Sequence, residues 1–343
     1  MQRRAAPWRP IAVLPERVAM NRIPHSTIPR VSVIMPGYNT AHLIAASLDS
    51  VFAQTFRDFE VIVVNDGSPD TAELETALAP YLNRIVYIKQ ANKRAAGARN
   101  TAIRRASGEF VALLDSDDAW LPEHLASQMR LFAADPALDL VYSNARLLGD
   151  PRRREFMQVC PSRGVATFEA LIVERCQVAA STVVARKQTL VDAGLFDEQL
   201  ARCDDYDLWV RAAFRGTKIG YSRRVQARLN GGRPGSLGQS RSKMAEAYWT
   251  ILEKTARTLP LSDSQRALVN GRAAEIRARH LIEDGKSHLY AGELDEARDL
   301  FSQAKGYGQS SKLRLAMLGL NLAPRATCKL FCLWSRIRNG VAA

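Results

Sequence analysis

The residues best suited to chemistry are carboxylates in three places. Asp115 and Asp117 stand two apart in the run Asp115-Ser116-Asp117-Asp118, directly after the apolar residues 110–114. A carboxylate pair at i and i+2 beyond a strand can hold a hard divalent cation such as Mg²⁺ or Mn²⁺. Mg²⁺ sites commonly use one or two carboxylates and leave the remaining positions to substrate phosphates. The loop is not an EF-hand, because its sixth residue is Trp120 and its twelfth is Ala126, where that loop needs Gly and Glu. Asp66 closes a second apolar run, residues 60–64. Asp204 and Asp205 form the third place. Adjacent carboxylates shielded by Tyr206 and Trp209 can push one of the pair up into the range of a general base. The same acids also suit the first turn of a helix, where they offset the macrodipole. The residue types alone leave both readings open.

The elements that must position these residues have a readable texture. Residues 31–36, 60–64, 85–88 and 110–114 are short, largely apolar runs, the first, second and fourth ended by Pro, Gly, Asn or Asp, the pattern of buried strands. Between them, Leu43, Ile44, Leu48, Val51 and Phe52 fall near helical spacing, as do Ala98, Ala102, Ile103 and Ala106. Alternation of this kind predicts a parallel α/β sheet with helices on both faces. Ligands of such sheets lie beyond the carboxyl ends of the strands. Tyr38 and Asn39, then Asp66, then Asp115, Ser116 and Asp117 fall at those ends. A further strand is predicted over 178–186, and a helix beginning near Asp204. Residues 230–240 read as a flexible Gly/Ser-rich loop. From about Ser242 the pattern is helical, and residues 290–297 resemble the turn of a tetratricopeptide-like hairpin, without a second copy.

Composition narrows the classes. The 343 residues are 47% hydrophobic and 24% charged, which excludes a mostly disordered or collagen-like chain. Five cysteines without a C-x-x-C argue against a disulfide scaffold or structural zinc and fit a reducing compartment. No G-x-x-x-x-G-K-[ST] and no helix-opening G-x-G-x-x-G is present, so neither a P-loop enzyme nor a dinucleotide oxidoreductase is supported. A diphosphate would rest instead on a metal and on a base such as Arg99. The net charge of +13 is uneven: residues 1–30 carry +5, residues 31–150 carry −5 and residues 151–343 carry +13. Residues 1–30, with five prolines, read as a basic disordered tail without a secretory h-region. No stretch has the roughly 18–20 apolar residues of a spanning helix. The segment from Leu330 to Arg338 suits either an anionic membrane surface or a terminal helix packed on its own domain.

Together these residues resemble glycosyltransferase family 2, the inverting nucleotide-sugar transferases of the GT-A fold. The matching segments are VSVIMPGYNT (31–40), SLDSVFAQTFRDFEVIVVNDGSPD (47–70), AAGARNTAIRRASGEFVALLDSDDAWLPEHL (95–125) and STVVARKQTLVDAGLFDEQLARCDDYDLWVRAAFRG (181–216). The resemblance implies a mostly parallel Rossmann-like sheet flanked by helices over 31–240, with a nucleotide-binding half at 31–118 and an acceptor half at 119–240. A helical C-terminal region at 241–343 would follow. It implies that Pro36, Tyr38, Asn39, Asp66, Arg99, Asp115 and Ser116 bind the nucleotide, with Asp66 on the base and Arg99 near the diphosphate. It implies that Asp117, with Asp115, holds Mn²⁺ or Mg²⁺ in a D-x-D motif. Trp120 and Asp204 would border the acceptor, and Asp205 would be the catalytic base. The chain departs from the family at Asn65, which often is Asp, at Gly37, and at residues 227–232, which lack a Tyr-Arg-x-His histidine.

The expected reaction is transfer of a sugar, most simply from a UDP-sugar, to a hydroxyl of a glycan or lipid-linked acceptor in cell-surface polysaccharide synthesis. The expected location is cytoplasmic, with peripheral contact to the inner, anionic membrane face and no nucleic-acid partner. Two rivals are a nucleotidyltransferase-like enzyme and a non-catalytic protein binding anionic lipid or nucleic acid through its basic half. The Asp204–Trp209 segment favours the sugar transferase over the first. Salt-dependent retention on DNA or vesicles separates the second.

Overall fold

A computed structural model describes residues 28–150, 152, 154–231, 241–307, 311–324, 326–328 and 330–331. The expected basic tail lies outside the described residues up to residue 27, as do most of the expected 230–240 loop and the terminal segment beyond 331. The chain divides into two compact units, Met1–Gln239 and Ser240–Ala343.

In the first unit eight strands make one sheet: β1 (Val31–Gly37), β2 (Phe59–Asp66), β3 (Val86–Gln90), β4 (Phe110–Leu113), β5 (Ala119–Trp120), β6 (Leu140–Leu147), β7 (Val183–Arg186) and β8 (Ile219–Leu229). Their order is β3-β2-β1-β4-β7-β6-β8-β5. β1 pairs in parallel with both β2 and β4, and β2 with β3. The chain therefore builds outward from β1 through β2 and β3, then returns to the other side of β1 as β4. That reversal opens a crevice beyond the carboxyl ends of β1 and β4, where open α/β sheets take their ligands.

Burial explains the continuous apolar runs. Val31, Val33 and Met35 pack in one cluster with Ile44, Leu48 and Val51 of the helix Ala41–Phe52 and with Leu74 and Leu78 of the helix Thr71–Leu78. Ile34, Ile62 and Val111, on the alternate positions, are equally inaccessible. The helix Arg94–Arg105 packs on β1 and β2. A sheet covered on both faces has no need of polar alternation. Asn65 braces the turn after β2. Its Nδ2 donates to Thr71 Oγ1 (3.0 Å) and Tyr87 Oη (2.9 Å), and its Oδ1 accepts from the Ser68 amide (2.9 Å).

The sheet is not parallel throughout. β7 runs antiparallel to β4 and β6, β5 is antiparallel to β8, and β6 is parallel to β8. The strand expected over 178–186 shortens to Val183–Arg186, preceded by a 3₁₀ turn at Ala180–Thr182. Side chains occupy the carbonyls that a longer ladder would use. Trp120 Nε1 donates to Ser181 O (2.7 Å), Gln128 Nε2 to Thr182 O (3.1 Å) and Thr182 Oγ1 to Ala179 O (2.8 Å). β6 and β8 carry no plain apolar signal. Buried Ser143 and Asn144 interrupt β6, and exposed Arg223 and Arg224 interrupt β8.

The second unit is helical, as expected, with helices Arg241–Thr258, Asp263–Ala291, Leu294–Lys305 and Ser311–Leu322. Gly292, in the left-handed region at φ 83°, ends the long helix and forms the turn expected near residue 290.

Gly108 fixes how closely the segment before β4 approaches β1. Its amide donates to Ser32 Oγ (2.9 Å), and a Cβ there would lie 2.8 Å from the Ser32 nitrogen and 2.9 Å from the Val31 carbonyl carbon. Backbone atoms cannot swing aside, so Gly108→Ala should cost about 1–3 kcal/mol. Urea denaturation of the first unit measures this, and an unchanged midpoint would show that the strands give way.

Candidate functional site

The crevice is a cavity of about 830 Å³. It is lined by the loop after β1, the ends of β2 and β4, the start of the helix Arg94–Arg105, the 3₁₀ turn and residues 200–205. Pro36, Tyr38, Asn39, Asp66, Arg99, Asp115, Ser116, Asp117, Asp204 and Asp205 all line it. The topology thus brings together every expected site residue except Trp120.

The loop after β1 is held by hydrogen bonds. Asn39, at φ 53°, donates its amide to Ser68 Oγ (2.7 Å), and Thr40 Oγ1 meets Ser116 Oγ at 2.8 Å. The ring of Tyr38 is half exposed at the cavity wall. Asp66 is buried, and its Oδ1 accepts from Gln90 Nε2 (2.7 Å) and the Lys93 amide (2.9 Å). The acidic loop is anchored at the Asp115 amide, which donates to Ser181 Oγ (3.1 Å). It is also anchored by Ser47 Oγ, which donates to the carbonyls of Ser116 (3.0 Å) and Asp118 (2.6 Å).

Arg99 occupies the centre. It is 6% exposed. Its Nη2 donates to Asp115 Oδ1 at 2.6 Å and its Nη1 to Asp204 Oδ2 at 2.7 Å. Burial opposes its charge, but Asp115 and then Asp204 outweigh it and hold the guanidinium firmly protonated. The Arg99 cation thus pairs with two carboxylates, and one oxygen of Asp204 faces Arg99, while both residues line the cavity.

Asp204 and Asp205 open the helix Asp204–Phe214, whose preceding residue, Cys203, is left-handed at φ 56°. A non-glycine residue held there costs free energy and marks a place where surrounding structure dictates the backbone. Buried Asp207 and Arg211 fix the helix from the other side. Arg211 pairs with Asp207 at 2.7 Å and donates to the carbonyls of Ala193 and Leu195. Asn100, next to Arg99, exchanges hydrogen bonds with the backbone of Phe196 (2.8 and 2.9 Å), tying the same loop to the Arg99 helix. Asp205 accepts from the Tyr206 amide (2.8 Å). Burial first, then the charge of Asp204, pushes its carboxyl up to about 6, against the pull of Arg99.

Trp120 requires a correction. It is 3% exposed and packs in the hydrophobic core, stacked on His124 with centroids 4.4 Å apart. Its indole N–H is used on the Ser181 carbonyl. It shapes the cavity from behind and does not border it.

Two cavity residues escape sequence reasoning. Asp118 is buried, accepts the Asn230 amide at 2.7 Å, and has its pKa pushed up by burial and then by Asp117 and Asp115. Its signal was the third acid of the run. Arg94 lines the cavity at φ 62° and makes no ion pair among the described residues. Nothing in the local sequence marks an arginine placed where glycine would be at ease.

A divalent cation fits the acidic loop. Asp115, Asp117 and Asp118 are all-oxygen donors close enough to raise the pKa of the buried member, the situation a hard cation relieves. Among the described residues no three His, Cys, Asp or Glu side chains form a closed ligand set. A cation on Asp115 and Asp117 would therefore keep positions open to a ligand.

The Asp205 shift has a stability consequence. A carboxyl whose folded pKa, about 6, exceeds its ordinary value of 3.8 binds its proton more tightly folded than unfolded. Stability is then lost as pH rises from about 4 through 6. Asp205→Asn should therefore stabilise the metal-free protein above pH 6, by on the order of 1–3 kcal/mol. The gain should vanish near pH 4. Denaturant midpoints across pH test this, and a destabilised variant at pH 8 would contradict it.

Comparison with known proteins bears on the family and the fold. The model of the family Glycosyl transferase family 2 matches residues 32–168. UDP-Glc:alpha-D-GlcNAc-diphosphoundecaprenol beta-1,3-glucosyltransferase WfgD of Escherichia coli is 33% identical over 180 residues, covering 52% of this chain and 68% of that protein. The structure of S. aureus TarS 1-349 in complex with UDP-GlcNAc superposes with a TM-score of 0.62 at 20% identity, covering 91% of this chain and 92% of that one. Mannosyltransferase PcManGT from Pyrobaculum calidifontis, in complex with GDP-Man and Mn²⁺, gives 0.59 at 21% identity, over 92% and 88%. These structural likenesses establish the GT-A-like fold. With the family match and the WfgD relative, they show that the chain is a glycosyltransferase belonging to glycosyltransferase family 2.

Proposed function

We propose that the chain moves a sugar from a UDP-sugar to a hydroxyl of a lipid-linked glycan in polysaccharide synthesis, inverting the anomeric centre with a divalent cation present. One observation carries this reading. Asp205, poised near 6, shares a cavity with the acidic loop at Asp115–Asp118 and is separated from it by Arg99. The name of WfgD supports the UDP donor and the diphosphoundecaprenol-linked acceptor. The UDP-GlcNAc of the TarS complex and the Mn²⁺ of the mannosyltransferase complex support the donor class and the ion. With a lipid-linked acceptor the reaction runs at a membrane surface, which this reading takes to be the cytoplasmic face.

Tyr38 offers a ring face to the nucleobase. Asp66, held by one oxygen, offers the other to a base N–H. Asp115 and Asp117 would hold the cation, which when bound acts as a Lewis acid on the diphosphate leaving group. Arg94, at the cavity wall, supplies positive charge to the diphosphate. Asp205 takes the proton from the acceptor hydroxyl. The freed oxygen attacks the anomeric carbon from the face opposite the diphosphate. The new glycosidic bond forms as the sugar–phosphate bond breaks, and UDP departs.

Transfer from a panel of UDP-sugars tests the reading. Asp205→Asn should lower kcat about 10²–10⁴-fold with UDP binding nearly intact, and wild-type kcat/KM should rise with pH through about 6. Transfer by Asp205→Asn at the wild-type rate would remove Asp205 as the base. Asp117→Ala should abolish the part of UDP affinity that depends on Mn²⁺; equal affinity with and without the ion in both proteins would remove the metal assignment. Arg94→Ala should raise the donor KM roughly tenfold, as expected for one charged hydrogen bond, with kcat little changed. An unchanged KM would leave the diphosphate to other residues.

A further inference from the structure

The helix Ser311–Leu322 presents apolar residues in two opposite directions. Leu313 and Leu320 are buried in a cluster with Leu281, Leu289, Ala297 and Phe301, and Met317 packs against it. At about 100° per residue, Leu315, Leu318 and Leu322 fall on the far side. They are 71%, 54% and 76% exposed, and Leu330 in the following helical residues is 68% exposed. A helix packed by one face onto its own bundle normally turns polar side chains outward. A contiguous exposed apolar strip marks a surface made to be covered.

The charge distribution says by what. Residues 240–310 hold eleven basic and ten acidic residues, whereas residues 311–343 hold six basic and no acidic ones. Nearly the whole net charge of residues 240–343 therefore lies in the sequence from residue 311 onward, which includes the open leucines. A second copy of the same stretch would bring two +6 segments together, and like charge opposes that. An anionic lipid surface meets both features at once. Its acyl boundary accepts leucines, and its headgroups attract lysine and arginine. We propose that Leu315, Leu318 and Leu322 dock the chain on an anionic bilayer, with the basic residues of 311–343 supplying the electrostatic attraction. The inference deepens the lipid-linked-acceptor reading, and vesicles free of donor and acceptor test it separately.

The experiment is sedimentation of the full chain with phosphatidylglycerol-containing vesicles and with pure phosphatidylcholine vesicles. The expected result is binding to the first, little to the second, and weakening by salt. Leu315→Ser/Leu318→Ser/Leu322→Ser should reduce binding at least about tenfold with an unchanged far-UV circular dichroism spectrum. Leu82→Ser, which removes an exposed leucine of the first unit, should bind as wild type. Equal binding by the triple variant and the wild type would overturn the proposal, as would no binding by the wild type. A wild-type dimer that the triple variant converts to a monomer, with vesicle binding unaffected, would assign the face to a second copy instead.

Discussion

A buried guanidinium holds this site together. Arg99 is out of water, and a charge there is tolerated only when it is paired and hydrogen-bonded. Its partners come from distant parts of the chain: Asp115 follows β4, and Asp204 opens a helix 105 residues after Arg99. The pairing forces the acidic loop and the Asp204–Asp205 turn to face one another. Everything around it serves that meeting. Asn100 clamps the loop before Asp204, the left-handed Cys203 turns the aspartates inward, and Arg211 fixes their helix from behind. Deleting Arg99 would leave two carboxylates unpaired, a larger disturbance than the loss of two hydrogen bonds.

The same pairing sets the electrostatics. Six aspartates line the cavity, at positions 66, 115, 117, 118, 204 and 205, against one buried arginine that is already shared. Burial, and then the surplus negative charge, makes Asp118 and Asp205 reluctant to ionise. On the proposed function, a cation and Arg94 would offset that charge when a diphosphate enters. The +13 of the whole chain belongs elsewhere, since the segment carrying the acidic loop is itself −5.

Much of this is legible in the sequence. β1, β2 and β4 are buried on both faces, so their runs are mostly apolar, and polar residues at or just beyond their ends line the cavity. The aspartates were identifiable because strand ends concentrate ligand contacts. Pairings across long sequence separations are not readable. Nothing near residue 99 announces that its guanidinium will meet residues 115 and 204. Trp120 follows the acidic loop closely enough to suggest a cleft wall, yet its indole N–H is taken by the Ser181 carbonyl and its ring by the core. The direction of β7 is hidden for a related reason. Three apolar residues followed by Arg186 describe a buried strand equally well in either orientation, and the neighbours decide.

On the proposed function, Arg99 lowers the pH at which Asp205, pushed up by burial and Asp204, gives up its proton. The pH dependence of sugar transfer in Arg99→Gln, a variant that keeps hydrogen-bonding capacity and removes the charge, measures this. Arg99 pulls the Asp205 pKa down from where burial and Asp204 would leave it. The midpoint of kcat/KM should therefore move upward by about one pH unit or more relative to a wild-type midpoint near 6. A folded variant whose midpoint stays where the wild type's is would contradict the account.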